Sequence, residues 1–288
     1  MLNVEEYVRP ASLAEAVRIL RERGEAAAAI AGGTDLVLEH RPALRCLVDI
    51  THLGLGAIAA GPEGLVIGAT STMEAIVRSP PVAALANGIL CRAAGMCGSW
   101  QVRNLATLGG NVANALPAAD TPPALLALDA RVRWVGESER EVPLNGFFAG
   151  PRKTVLPRGN IVTALVIPPP PPGLRGAFIK FGRTQKDIAI VNVAVAVAAE
   201  DARCRHARIA LDAVAPTPIR VPEAERLLEA QGFGEAVLDA VAALVSRAVR
   251  PISDHRASAE YRRRLSGSLV RRALVACLDG GQGGATHP

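Results

Sequence analysis

The chain has 288 residues, half of them hydrophobic and a fifth charged, which excludes a disordered chain and supplies more apolar surface than one ordinary core buries. Its formal net charge of +5 is spread out, with the densest cluster at Arg262, Arg263, Arg264, Arg271 and Arg272 and few aromatics beside it. That cluster reads as a solvated helix face able to meet an acidic partner subunit, not as a nucleic-acid surface.

The start, MLNVEEYVRP, has acids where a secretory leader needs basic residues and then an apolar run. No segment reaches the ~18 uninterrupted apolar residues of a membrane span. Five cysteines without a CxxC pair exclude a disulfide framework and a cysteine-only iron–sulfur site. A cytoplasmic, reducing location is expected. Ser12 and Glu15 form a capping box ahead of a helix over Leu13 to Arg23, whose Leu13, Ala16, Val17 and Leu20 recur at helical spacing. Gly24 stops it. Ala26 to Ala31 predicts a buried strand running into Gly32-Gly33, and Arg45 to Ile50 another strand. Residues 1–56 thus read as a small α/β unit.

Leu65 to Ile67 predicts a strand, and Ser71 with Glu74 caps a helix that Pro80-Pro81 break. Val82 to Cys91 predicts a further helix, and residues 98–130 read as a loop. Strands are expected at Arg131 to Val135 and Ile161 to Ile167, and the prolines at 168–172 close a second unit, 57–172. The third unit, 173–288, opens with strands at Ala177 to Phe181, Ile188 to Ala199 and His206 to Val214, the last two as a hairpin. Helices follow at Pro222 to Gln231, Glu235 to Arg250 and Ala257 to Leu278, before a tail, 280–288, expected to fray. Strands followed by helices make this an α+β domain.

Two glycine pairs carry the chemistry. The first is Ala31-Gly32-Gly33-Thr34-Asp35-Leu36, between a strand and a helical stretch. Adjacent glycines let backbone N–H groups converge without Cβ atoms in the way, and a helix beginning there adds its dipole. A pyrophosphate is the natural guest; an ordinary tight turn is the alternative. The second is Thr107-Leu108-Gly109-Gly110-Asn111-Val112-Ala113-Asn114, followed by Asp120. Asn111 and Asn114 donate and accept, and Asp120 can accept from two hydroxyls; a structural loop with a helix cap is the alternative here. Together the two suit a dinucleotide clamped between small units. Neither GxGxxG nor GxxxxGK[ST] occurs, which disfavours nicotinamide binding and nucleoside triphosphate hydrolysis.

With these residues the chain resembles the FAD-binding medium subunit of the molybdenum hydroxylases, the family of xanthine dehydrogenases and aerobic carbon monoxide dehydrogenases. AGGTDL (Ala31 to Leu36) and QVRNLATLGGNVANALPAAD (Gln101 to Asp120) are similar to its two flavin loops. KFGRTQKDIAIVN (Lys180 to Asn192), APTPIR and DHRASAEYRRRL extend the likeness over nearly the whole chain. The resemblance implies an α+β fold: a two-part FAD-binding domain (a small α/β subdomain, then a larger α+β one) and a C-terminal α+β domain with an antiparallel sheet and helices. It places Ala31, Gly32, Gly33, Thr34, Asp35 and Leu36 along the FAD pyrophosphate, with Thr107, Gly109, Gly110, Asn111 and Asn114 opposite. Asp120 is implied at the ribityl or ribose hydroxyls, and Lys180, Arg183, Asp187 and Ile188 near the isoalloxazine. It further implies a small iron–sulfur subunit and a large molybdenum-cofactor subunit as partners, and NAD, a quinone or oxygen as acceptor.

No residue here need act as a general acid or base, and the flavin does the redox chemistry. The five histidines share no metal-ligand spacing and read as surface or satisfied side chains. Cys91 and Cys97 read as core fillers, and Trp100 as a packing, cofactor or partner contact. Asp254, His255 and nearby serines lack the GxSxG elbow of a hydrolase. Two other readings remain: a stand-alone flavin oxidoreductase, for which little chain is left to build a substrate pocket, and a flavin-free accessory protein, against which the intact glycines speak.

Overall fold

The computed structural model describes residues 3–184, 186–200 and 203–279, so the tail expected to fray lies outside the described residues. The first unit holds β1 (Glu6–Val8), α1 (Leu13–Arg23), β2 (Ala27–Ile30) and β3 (Cys46–Asp49). Its strands are parallel, in the order β1-β3-β2. Ser12 Oγ accepts the Glu15 N–H at 3.2 Å, and the Glu15 carboxylate reaches back to the Ala11 N–H at 2.7 Å. The capping box therefore closes one residue further out than its usual form. Gly24, at φ +55°, ends the helix, and Ala16, Val17, Ile19 and Leu20 pack against Val48 and Ile50.

The second unit runs through β4 (Ile58–Gly61), β5 (Gly64–Gly68), α2 (Met73–Val77), α3 (Pro80–Ala84), α4 (Ile89–Gly95), α5 (Trp100–Arg103), α6 (Leu108–Asn114) and α7 (Pro122–Ala127). It continues with β6 (Arg131–Val135), β7 (Glu139–Pro143), β8 (Phe148–Gly150), β9 (Lys153–Thr154) and β10 (Ile161–Ile167). Five strands form an antiparallel sheet, β4-β5-β10-β6-β7. Met73, Ile76, Ile89, Leu90, Leu108 and Leu125 from the helices share one core with Ile67, Val132 and Leu165 from the sheet.

Three expectations change here. The cap of α2 is Thr72, not Ser71: Thr72 is extended because it bridges Thr107, and its Oγ1 accepts the Ala75 N–H at 3.1 Å. The helix expected over Val82 to Cys91 is broken, because Ala86, Asn87 and Gly88 turn left-handed between α3 and α4. Residues 98–130 are not a loop but carry α5, α6 and α7. Each is too short to persist alone and is held by packing, which glycines and prolines in the sequence conceal.

The third unit is an antiparallel sheet of β11 (Arg175–Phe181), β12 (Val191–Glu200), β13 (Arg203–Asp212) and β14 (Ile219–Arg220), covered by α8 (Pro222–Gln231), α9 (Glu235–Ala248) and α10 (Ala259–Leu278). The strand expected from Ile188 begins at Val191. Val191, Val193, Val195 and Val197 face the helices, while Ala194, Ala196, Phe178 and Ala210 join the core of the second unit. The sheet is thus buried on both faces, as its nearly continuous apolar run requires. The basic cluster is not one solvated face. Arg262 is only 1% exposed, and Arg271 pairs with Glu235 and Asp239 of α9.

Candidate functional site

The first glycine loop leaves the C-terminal end of β2. Gly33, at φ +68°, turns left-handed, which favours glycine there. At Gly32 a Cβ would lie 1.8 Å from the Leu105 carbonyl oxygen, so the first loop touches the backbone just before the second. Among the described residues, the amides of Gly32, Gly33, Thr34, Asp35 and Leu36 have no acceptor in the chain. Five consecutive unpartnered amides around a left-handed glycine form a nest for an anion. The helix expected to follow is only a single 3-10 turn, Leu36–Leu38. Val37 and Leu38 are exposed, so no packing extends it, and Pro42 disfavours a helical residue before it.

The second glycine pair is built differently. Thr107 caps α6, its Oγ1 accepting the Gly110 N–H at 3.3 Å. The Leu108 N–H donates to the Ser71 carbonyl at 3.0 Å and the Gly109 N–H to the Ala69 carbonyl at 2.8 Å. A Cβ on Gly109 would lie 2.5 Å from the Ala69 Cβ. These glycines therefore seat a short helix on the turn after β5, and their amides are not a second free nest. What the segment offers a ligand is the exposed edge at Gly110 and the side chains of α6. Asn111 Oδ1 accepts from Thr121 Oγ1 at 2.5 Å, which fixes the orientation of its amide, and the buried Asn114 Nδ2 has no acceptor among the described residues.

Asp120 turns inward. It is 8% exposed, and Lys180 Nζ from β11 sits 2.9 Å from Oδ1 and 3.1 Å from Oδ2. Lys180 also donates to the Met96 carbonyl at 3.0 Å. Burial raises the Asp120 carboxyl, and Lys180 works against that rise. Cys97 lies within electrostatic reach of both segments: burial pushes its thiol up to about 12, with Asp120 and Asp35 adding to the rise. Asn192 and Asp212, which the sequence reading did not single out, complete this cluster. Their signal was available, since each is a polar residue inside an apolar run, Asn192 within 188–199 and Asp212 within 209–215.

The structure does not bring Arg183, Asp187 and Ile188 to either glycine segment by any hydrogen bond or ion pair among the described residues. They lie on the loop between β11 and β12, where Arg183 pairs with Asp187 at 3.4 Å and Ile188 is 63% exposed. That loop is anchored from beneath: Arg262 donates to the Ile190 carbonyl at 2.7 Å and Arg256 to the Ala189 carbonyl at 3.3 Å. Arg103, in the lead-in to the second glycine pair, is engaged with Glu74 at 3.3 Å.

The donor set fits a dinucleotide: a nest for the diphosphate, amide side chains facing polar groups, and an orphaned buried donor at Asn114. Comparison with known proteins agrees. Residues 2–170 match the family described as the FAD binding domain in molybdopterin dehydrogenase, and residues 176–277 match the CO dehydrogenase flavoprotein C-terminal domain. The chain is 34% identical to the carbon monoxide dehydrogenase medium chain of Afipia carboxidovorans, over 93% of this chain and 95% of that one. It is 32% identical to a putative xanthine dehydrogenase FAD-binding subunit of Escherichia coli K12, over 95% and 96%. A solved structure of carbon monoxide dehydrogenase from Hydrogenophaga pseudoflava superposes with a TM-score of 0.92 at 32% identity, covering 97% of this chain and 99% of that one. Nest, fold and likeness along almost the full length lead to one assignment: the chain belongs to the family of FAD-binding medium subunits of the molybdenum hydroxylases.

Proposed function

We propose that the chain clamps FAD between its first two units and relays electrons between a small iron–sulfur subunit and an external acceptor. The observation that carries this reading is the run of unpartnered amides from Gly32 to Leu36, held against the second unit by the Gly32–Leu105 contact. In this reading the diphosphate lies on those amides beside Ala31, and Gly110, Asn111 and Asn114 approach from the other side. Thr107 and Gly109 act indirectly, by seating α6. Asp120 and Lys180 border the flavin from beneath, and the loop with Arg183, Asp187 and Ile188 borders it from the third unit. The units are taken as 1–56, 57–172 and 173–288.

Bound FAD supplies the exchange of electrons, singly or in pairs, that no side chain here can supply. The chain's own residues bind and orient, and none is assigned as a general acid or base. Substrate oxidation belongs to a large molybdenum-cofactor subunit, and the acceptor is NAD, a quinone or oxygen. Among the described residues no helix is long and apolar enough to cross a membrane. The working compartment is the reducing cytoplasm, a reading supported by five free cysteines.

The test is the visible spectrum of the purified full chain, followed by release and identification of its chromophore. Stoichiometric FAD is expected, and Gly110→Val should lose it, because even a Cβ there would lie 2.9 Å from Thr107 Oγ1, the cap of α6. A colourless chain that takes up no added FAD, alone or with co-expressed subunits, would sink the reading.

A further inference from the structure

Lys180, Asn192 and Asp212 stand at one register level on three neighbouring strands: Lys180 pairs with Asn192, and Asn192 with Asp212. They lie on the sheet face that carries Phe178, Ala194, Ala196 and Ala210 into the core of the second unit. A polar row on such a face is costly unless each group is matched. Lys180 and Asn192 converge on one peptide. Lys180 holds the Asp120 carboxylate, and Asn192 Nδ2 donates to the Ala119 carbonyl at 3.3 Å and to Asp120 Oδ1 at 3.4 Å. Asp212 Oδ1 accepts the Ala213 N–H at 2.8 Å, while the Ala119 N–H donates to the Leu116 carbonyl at 3.1 Å.

Asn192 and Asp212 are fully buried, and Asn192 Oδ1 and Asp212 Oδ2 have no hydrogen-bond partner among the described residues. Burial raises the Asp212 carboxyl well above its ordinary value, and the Asp120 charge adds to the rise. Apolar residues would fill this space at less desolvation cost. What they would not do is fix Ala119 and Asp120 in one orientation against the sheet.

We propose that Asn192 is a positioning residue of the flavin site: it grips the Ala119–Asp120 peptide across the seam and so sets the Lys180–Asp120 pair against the cofactor. The inference rests on the FAD reading above but not on the identity of the electron partners.

The test titrates FAD into FAD-stripped full-chain protein, following flavin fluorescence, and then records visible circular dichroism and the flavin midpoint potential at saturating FAD. Asn192→Ala should weaken binding about tenfold, the effect of losing a buried hydrogen-bonded anchor, and should shift both flavin signals. If Asn192→Ala does not fold, Asn192→Ser is read in the same way. A parent chain that binds no FAD overturns the cofactor reading itself. A parent that binds, beside an Asn192 variant with parental affinity, dichroism and potential, overturns this inference alone, even if the variant melts earlier.

Discussion

Gly32 has no room for a methyl group. The clash it would create is with the Leu105 backbone, which cannot rotate away as a side chain can. Gly32→Ala must therefore push the first unit from the second, at about 1–3 kcal/mol by the usual cost of overpacking. It should abolish FAD uptake at micromolar protein; unchanged uptake in a flavin titration would show that the two loops do not need this contact. A second residue-scale expectation concerns Asp212, whose folded pKa lies above the unfolded value of 3.8. Between those two values the folded chain binds a proton that the unfolded chain has released. The stability contribution is therefore full below the unfolded value and is lost as pH rises toward the folded one. The charged groups around it are Asp120, which acts in the same direction, Lys180, which is engaged on Asp120, and Arg262, which is engaged on the Ala213 carbonyl. Asp212→Asn removes the penalty. In urea denaturation its stability relative to the parent should improve as pH rises above the unfolded value, whereas parallel curves would mean that Asp212 is ionised in the fold.

At the scale of elements, the start of α10 and the segment before it form a latch for the β11–β12 loop. Asp254 accepts from Arg256 at 2.6 Å and from Arg262 at 2.7 Å, while Arg262 also bonds the Ile190 and Ala213 carbonyls. Arg262→Leu leaves the Ile190 and Ala213 carbonyls without this donor and Asp254 with Arg256 alone, so a loss of about 1–3 kcal/mol is expected in chemical denaturation. Faster proteolysis within residues 182–190 should accompany it, and parental values in both assays would show the latch to be idle. Legibility in the sequence divides along the same lines. α1, α8, α9 and α10 were readable because each is long and has a patterned apolar face, and α1 also carries its cap. α5, α6 and α7 were hidden because their stability comes from neighbours distant in sequence. The glycine pairs stand out in the sequence. That the Gly109 and Gly110 amides are already bonded was not, because the Gly109 acceptor, Ala69, lies on another element. Asn192 and Asp212 break their apolar runs visibly, yet the target of Asn192, the Ala119–Asp120 peptide, appears only once the third unit's sheet is packed on the second unit.

Across the whole molecule, the third unit is fastened to the second more firmly than the proline run at 168–172 suggests. One face of its sheet belongs to the second unit's core, and Arg208 and Arg220 reach across to Asp129 at 2.8 and 2.6 Å. Separating the units would expose that alanine face and strand Lys180 and Asn192 without Asp120 and Ala119. Both consequences are unfavourable, so neither unit gains by melting alone, which is the condition for cooperative unfolding. The two tryptophans allow a direct check. Trp134 is 3% exposed in the second unit's core, where Phe147 lies 6.1 Å away, whereas Trp100 is 56% exposed and should change little. Tryptophan fluorescence therefore reports the second unit, while far-ultraviolet circular dichroism draws heavily on α9 and α10 of the third. The two signals of the full chain should share one urea midpoint. A helical signal lost before the Trp134 signal would mean that the third unit unfolds on its own and that the seam contacts add little to its stability.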